Sequence, residues 1–401
     1  MPSWQKRKNM ISVSEARKKI IEHCPQAKAS LIPLSKGGGF VLADDIYSPI
    51  DSPHFNQSAM DGYAFRFDDW DGKSDLKVIG EVQAGSSADI EFHPLEAIRI
   101  FTGAALPSGA DTVVIQENVI REDERIKIVV NHLSKGSNVR LRGSQTKMRE
   151  QVLESGHLIT PATVSLLAGF GITHVLVYPN PTVSIITTGK ELMKPGEQLS
   201  DGKIYESNSS GLKAALEQMN IHPVAIESVD DEEEKIIEAI QQQLRGVDML
   251  ILTGGVSVGD YDFVTTALEK CGVQKMFHKV KQKPGKPFYF GVHGTTLVFG
   301  LPGNPASVLT CFYDYVADAI SKQTKKEYFK SIQMPLANEY SKKAGLTFFL
   351  KGKMNSDSVT ILNDQESYKM NSFAMADCLV ELEEEKEKYF EGDMVRVKLI
   401  I

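Results

Sequence analysis

Apolar and polar positions change period along the chain, and the changes divide it. Ser12 followed by Glu15 sets up a capping box, in which each residue satisfies a free amide of the first turn, and predicts a helix running toward Cys24 and stopping before Pro25. Over 41–142 the pattern is of short β-prone segments broken by Gly and Pro, among them 76–80, 97–102 and 112–116, which predicts a β-rich region. Thr160 before Pro161 marks a second helix start, with its end near Gly169 or Gly171. From Val183 strands alternate with helices at 183–187, 209–219, 224–229, 232–244 and 249–252. That alternation implies a parallel sheet with helical crossovers. The apolar run ending at Leu252, bounded by Gly246 and Gly254, reads as a strand buried on both faces. Strands around 288–290 and 296–299 and a helix over 308–320 follow. After a lysine-rich link, Val395, Val397 and Leu399 alternate with Arg396 and Lys398 as a half-exposed strand does, and a small terminal β-barrel or sandwich is expected. The fold class is thus α/β plus β, in a multidomain chain.

Composition narrows the function. With 401 residues the chain exceeds what one core supports. No apolar run is long enough for a membrane helix, and residues 1–10 read as a frayed leader without a signal or anchor. A net charge of -7 argues against nucleic acid, so an anionic ligand has to be held by local lysines. Cys24, Cys271, Cys311 and Cys378 have no paired spacing, which suggests neither a zinc site nor a disulfide framework and suits a reducing cytoplasm. The nine histidines are scattered and read as structural or surface residues.

Candidate chemistry lies in loops at the strand ends of the α/β region, where open sheets bind ligands. Four such loops, 187–189, 253–262, 283–287 and 301–305, are expected to converge on one site. In the second, TGGVSVGDYD, Gly254, Gly255 and Gly259 let amides approach an oxyanion; a plain glycine turn is the alternative. The run HKVKQKPGKP offers Lys279, Lys281, Lys283 and Lys286, and alternation along a strand would send the first three to one face. Such a face suits an anion; a solvated edge strand is the other reading. Glu191, Asp230, Asp231, Asp260 and Asp262 supply carboxylates for a magnesium-bridged phosphate, although Asp230 equally fits a helix cap. Neither a Ser-His-Asp nor a Cys-His arrangement is present, so covalent acyl transfer is not expected. Asp61 before Gly62, and Thr102 before Gly103, are unremarkable on physical grounds alone.

The segments SAMDGYA, FTGAALPSGADTV, TTGKEL with PGE, IYESNS, TGGVSVGDYD, KPGKP and LPGNPAS occur together in this order, and nearly the whole chain is similar to the molybdopterin molybdenumtransferases, the family that includes the E domain of gephyrin. The resemblance implies insertion of molybdate into adenylylated molybdopterin with release of AMP, Mg2+ as cofactor, and an elongated, cytoplasmic homodimer whose active site is shared between subunits. It implies a discontinuous helical linker domain over 9–52 and 143–180, with part of 28–46 in the β-rich domain. That β-rich domain spans 53–142, followed by a molybdopterin-binding α/β domain over 181–327 and a barrel over 328–401. Asp61, Thr102, Glu191, Asp230, Asp262, Lys279 and Lys283 fall on catalytic positions, with Glu191 and Asp262 as metal ligands. Arg140, Gly254, Gly255, Ser257, Gly259, Lys286, Pro302, Gly303, Asn304, Pro305 and Ser372 fall on substrate-binding ones. A molybdopterin adenylyltransferase shares the glycine-loop domain but lacks the flanking parts; it and apo-molybdoenzymes are the implied partners. Two alternatives stand beside this reading: a scaffold of the same fold with little turnover, and a paralogue with altered anion preference. Gln145 and Lys190 depart from the family pattern, which has Asp at both positions, and both changes remove negative charge.

Overall fold

The computed structural model describes residues 10–25, 27–86, 90–256 and 263–401. It separates into two compact units, one of 31–177 and one that joins 1–30 to 178–401.

The second of these is built on a six-stranded sheet in the order Ala225–Val229, Val183–Thr188, Met249–Thr253, Thr296–Leu301, Tyr289–His293 and Gln274–His278. Its three central parallel strands are buried along their whole length. Alternate residues serve opposite faces. Ile185, Ile251 and Phe299 pack in a cluster with Leu212 and Leu216 of the helix Asn208–Gln218. Ile186, Leu250, Leu252 and Val298 pack with Ile236 and Ile240 of the helix Glu233–Gln243 and with Val264 and Leu268 of Phe263–Lys270.

The sheet is mixed, not wholly parallel as the alternation implied. The first four strands pair in parallel, but Tyr289–His293 runs antiparallel to both of its neighbours. The cause is local: Gly294, at φ +58, turns this strand directly into Thr296–Leu301, and a link so short permits only a hairpin. The helix expected over 308–320 starts at Pro305, which needs no amide donor at that position, and continues through a π segment, Phe312–Val316, into Ala317–Thr324. The first helix is Val13–His23 with the capping box formed in both directions.

The same unit holds a second sheet in the order Gln282–Lys283, Thr347–Met354, Cys378–Leu382, Met394–Leu399 and Ser331–Pro335, with Val359–Ile361 paired to Thr347–Met354. A bridge from Leu336 to Val359 joins its two ends around a core of Leu336, Leu350, Val380 and Val397.

In the other unit, six strands in the order Thr112–Ile115, Gly62–Phe65, Glu96–Ile100, Leu76–Val82, Arg125–Ile128 and Val119–Glu122 carry apolar clusters on both faces. The helix Pro161–Gly169 begins at a Thr160 cap, and its Leu167 packs with Leu42, Val175 and Val177.

Candidate functional site

The carboxyl ends of the parallel strands open onto a cavity of about 860 Å³. Thr188 ends the strand Val183–Thr188 and Glu191 follows it, Thr253 ends Met249–Thr253 and Gly254 follows it, and Pro302, Gly303, Asn304 and Pro305 follow Thr296–Leu301. Lys283, Pro284, Gly285 and Lys286 complete this wall, and Asn208, Ser367 and Tyr368 line the cavity as well. All four loops anticipated from sequence therefore contribute. The lysine turn does so from elsewhere, because Gln282–Lys283 pairs with Thr347–Met354 of the second sheet and not with the α/β sheet.

Backbone conformation explains why glycine is needed at the closest approach. Gly254 has φ +92, and a Cβ there would lie 2.1 Å from the Thr188 carbonyl oxygen. The loop from Pro302 is held to the sheet by side chains. Thr253 Oγ1 donates to the Pro302 carbonyl at 3.0 Å, and Asn208 Nδ2 donates to the Gly303 carbonyl at 2.8 Å. Asn304 Nδ2 reaches Ser367 Oγ at 2.8 Å. Thr188 Oγ1 and Asn208 Oδ1 are buried in this wall without a partner among the described residues.

The three lysines of the strand-like run do not share a face. The strand ends at His278, Lys279 takes φ +83, and the two-residue alternation is broken there. Lys281 is paired with Glu384 at 2.8 Å, which raises its pKa through that hydrogen bond. Lys283 alone of the three lines the cavity, its ammonium 5.2 Å from the centre of the Phe348 ring. Asp230 is exposed and bonded to Lys235 at 3.0 Å, which lowers its pKa; the helix cap position is taken by Glu232. Ser372 donates to the Asp364 carbonyl at 2.7 Å, and neither it nor Gly255 lines the cavity. Ser257, Gly259, Asp260 and Asp262 lie outside the described residues.

Asp61, Thr102 and Arg140 belong to the other unit. The backbone N–H and the hydroxyl of Thr102 both donate to Asp61 Oδ1, each at 2.7 Å, and these bonds hold the carboxyl below its ordinary range. Arg140 lies exposed on the short strand Val139–Arg140, paired with Gln57–Ser58. Gln145 accepts from the Ser52 hydroxyl at 3.4 Å, a bond an Asp carboxylate would also accept. Lys190 is exposed, its amide 3.4 Å from Asp231 Oδ2.

No group of three or more His, Cys, Asp or Glu residues is gathered among the described residues. Glu191 is nevertheless exposed in the cavity wall, and one carboxylate beside substrate phosphates is an ordinary magnesium environment, so the residues present fit that ion.

Asn208, Gln282, Gly285, Ser367 and Tyr368 line the cavity without having been singled out from sequence. Asn208 had a signal, since it lies in the segment IYESNS, but the residues 365–368 come from a loop of the second sheet with no motif of their own.

Fold and cavity together define an α/β protein with a lysine-flanked pocket at the carboxyl ends of its strands and with additional β-rich parts. Residues 11–171 match the MoeA N-terminal region (domain I and II), 184–322 match the probable molybdopterin binding domain, and 333–400 match the MoeA C-terminal region (domain IV). The chain is 35% identical to the molybdopterin molybdenumtransferase of Haemophilus influenzae over 97% of its length and 98% of that protein's. It is 36% identical to the one from Staphylococcus epidermidis, over 86% of this chain and 83% of that one. The molybdopterin biosynthesis MoeA protein of Pyrococcus horikoshii superposes with a TM-score of 0.84 at 29% identity, covering 98% of this chain and 100% of that one. The chain belongs to the molybdopterin molybdenumtransferase family.

Proposed function

We propose that this chain inserts molybdate into adenylylated molybdopterin and releases AMP. The observation that carries the reading is the meeting, in one cavity, of Glu191, Gly254, the Lys283–Lys286 turn and the Pro302–Pro305 loop. Two anions have to be brought together in this reaction, and the chain offers cations and backbone dipoles where they would sit.

Lys283 and Lys286 neutralise the approaching oxyanions, and fixed charges of this kind cost no reorganisation during reaction. The loop of Pro302, Gly303 and Asn304, held by Thr253 and Asn208, keeps its wall of the site in place while the reactants are oriented. The dithiolene sulfurs of the substrate displace oxygen ligands of molybdate, so no nucleophilic side chain is required. Glu191 would hold magnesium together with the pyrophosphate, and the bound ion supplies neutralisation of phosphate charge. Asp262 is the proposed second ligand. Asp61, Thr102 and Arg140 complete the cavity of a second copy in a homodimer, and the chain is read as the four domains assigned from sequence, working in the cytoplasm. Asp230 and Lys279 are kept as proposed catalytic residues and Ser372 as a proposed substrate-binding one, although none of the three lines the cavity.

The test is incubation of purified protein with adenylylated molybdopterin, magnesium and molybdate. AMP release that depends on molybdate, together with reconstitution of an apo-molybdoenzyme, is the expected result. Binding without turnover would favour a scaffold.

A further inference from the structure

We infer that Gln282 is a positioning residue that fixes the spacing of Lys283 and Lys286 by tying the turn between them into the protein interior. The inference rests on the reading of the cavity as an oxyanion site. Gln282 is fully buried, yet both ends of its amide are bonded. Nε2 donates to the carbonyls of Pro284 at 3.1 Å and Gly285 at 3.3 Å and lies 3.4 Å from Cys311 Sγ. Oε1 accepts from the Tyr315 hydroxyl, and the Tyr315 ring is itself stacked on Phe288 with centroids 4.6 Å apart. That bond fixes which end of the amide faces the turn, because a hydroxyl donating to the oxygen leaves the NH2 end for the two carbonyls.

The turn needs such a partner. The Gly285 carbonyl makes its bond to Gln282 in the interior and the Pro284 carbonyl makes one that is partly buried, and a carbonyl left unmatched there is costly. Gly285 has φ +83, and a Cβ there would lie 2.6 Å from Cys311 Sγ and 2.8 Å from Gln282 Nε2, so the turn sits directly on these two side chains. Both lysines, by contrast, are exposed and line the cavity. The two backbone anchors set the region that each lysine ammonium can reach, and the flexible stem adjusts its position within that region. Releasing the turn carbonyls lets the anchors shift, and displacements near an ångström are enough to weaken a site built on convergent charges.

The experiment is a double-mutant cycle on the full-length chain, with molybdate alone as titrant in calorimetry and thermal melting run alongside. Gln282→Met keeps length and apolar bulk but removes both turn bonds, and Lys283→Ala removes one charge. Each single variant is expected to bind molybdate about tenfold more weakly than the wild type, and the double variant no more weakly than Lys283→Ala alone. Additive losses, or unchanged affinity in Gln282→Met, would overturn the inference, because a merely structural residue lowers the melting temperature without coupling to the lysine. If Gln282→Met does not fold, Gln282→Glu replaces it: it retains the acceptor for Tyr315 and, ionised, has no donor for the turn. The same outcomes then apply. Wild-type affinity in Lys283→Ala, or no binding by the wild type, overturns the oxyanion reading and this inference with it, whereas loss in Lys283→Ala with none in the Gln282 variant overturns only the latter.

Discussion

His278 ends an edge strand with its ring half-buried and Nε2 3.0 Å from the Val256 carbonyl, so the ring fastens the start of the glycine-rich loop to the sheet. A carbonyl only accepts, which assigns the proton to Nε2. Burial lowers the pKa below the ordinary 6.5, and the positive charges of Lys279 and Lys275 push the same way, while the bond to Val256 opposes them. Because the folded value is depressed, the unfolded chain takes up a proton first as pH falls. The stability contributed by neutral His278 is therefore complete above the unfolded value and is lost as pH drops from about 6.5 through the folded value. His278→Gln keeps a donor for Val256 but cannot titrate. The difference in melting temperature between wild type and His278→Gln should be largest near about pH 7.5 and shrink toward about pH 5. A difference that stays constant across that window would mean the ring does not titrate against burial.

At the scale of elements, the first helix is secured to distant parts of its unit by one ion cluster. Arg17 of Val13–His23 reaches Asp314 at 2.5 Å and Glu381 at 2.7 Å, and Arg396 adds a second contact to Glu381 at 3.3 Å. The Asp314 side chain is 3% exposed, so removing its partner strands a buried carboxylate. Arg17→Ala is expected to cost about 3–5 kcal/mol in denaturant unfolding, and Arg17→Ala combined with Asp314→Leu should recover most of it. Equal losses in the single and double variants would refute that account. The start of this helix was legible in the sequence because its capping box is a local signal, and the central strands were legible because runs of apolar residues bounded by glycine need only themselves to be recognised. The cluster was not, since Arg17, Asp314 and Glu381 meet only through tertiary packing. The lysine run failed for a related reason: Lys279 breaks the alternation, and Lys283 then pairs beside Thr347–Met354, a strand that no nearby residue announces. The cavity was legible in its glycine and proline loops, whose backbone demands are written in residue type. It was not legible at Gln282, whose role depends on carbonyls that no sequence pattern displays.

For the whole molecule, the proposed function requires residues of two compact units to serve one reaction. Glu191, Lys283 and Lys286 line the cavity of one unit, whereas Asp61, Thr102 and Arg140 belong to the other. Thr102 donates twice to Asp61, so that carboxylate is oriented and kept charged by its own unit, as a group held ready for a ligand would be. If the site is completed by a second copy, a dimer has two sites, each taking its cavity from one subunit and its Asp61 from the other. A dimer of Asp61→Ala with Lys283→Ala subunits then contains one site with both defects and one with neither. Each homodimer carries a defect in every site. After unfolding and refolding an equimolar mixture, random pairing puts half the chains in mixed dimers, and about a quarter of the wild-type molybdate-dependent AMP release should return. Were the site formed within one chain, every site in the mixture would carry one defect, and activity would stay at the level of the two variants measured apart. Mixed dimers must be demonstrated independently, by tagging one variant and recovering both, so that absence of recovery speaks against sharing of the site and not against exchange of subunits.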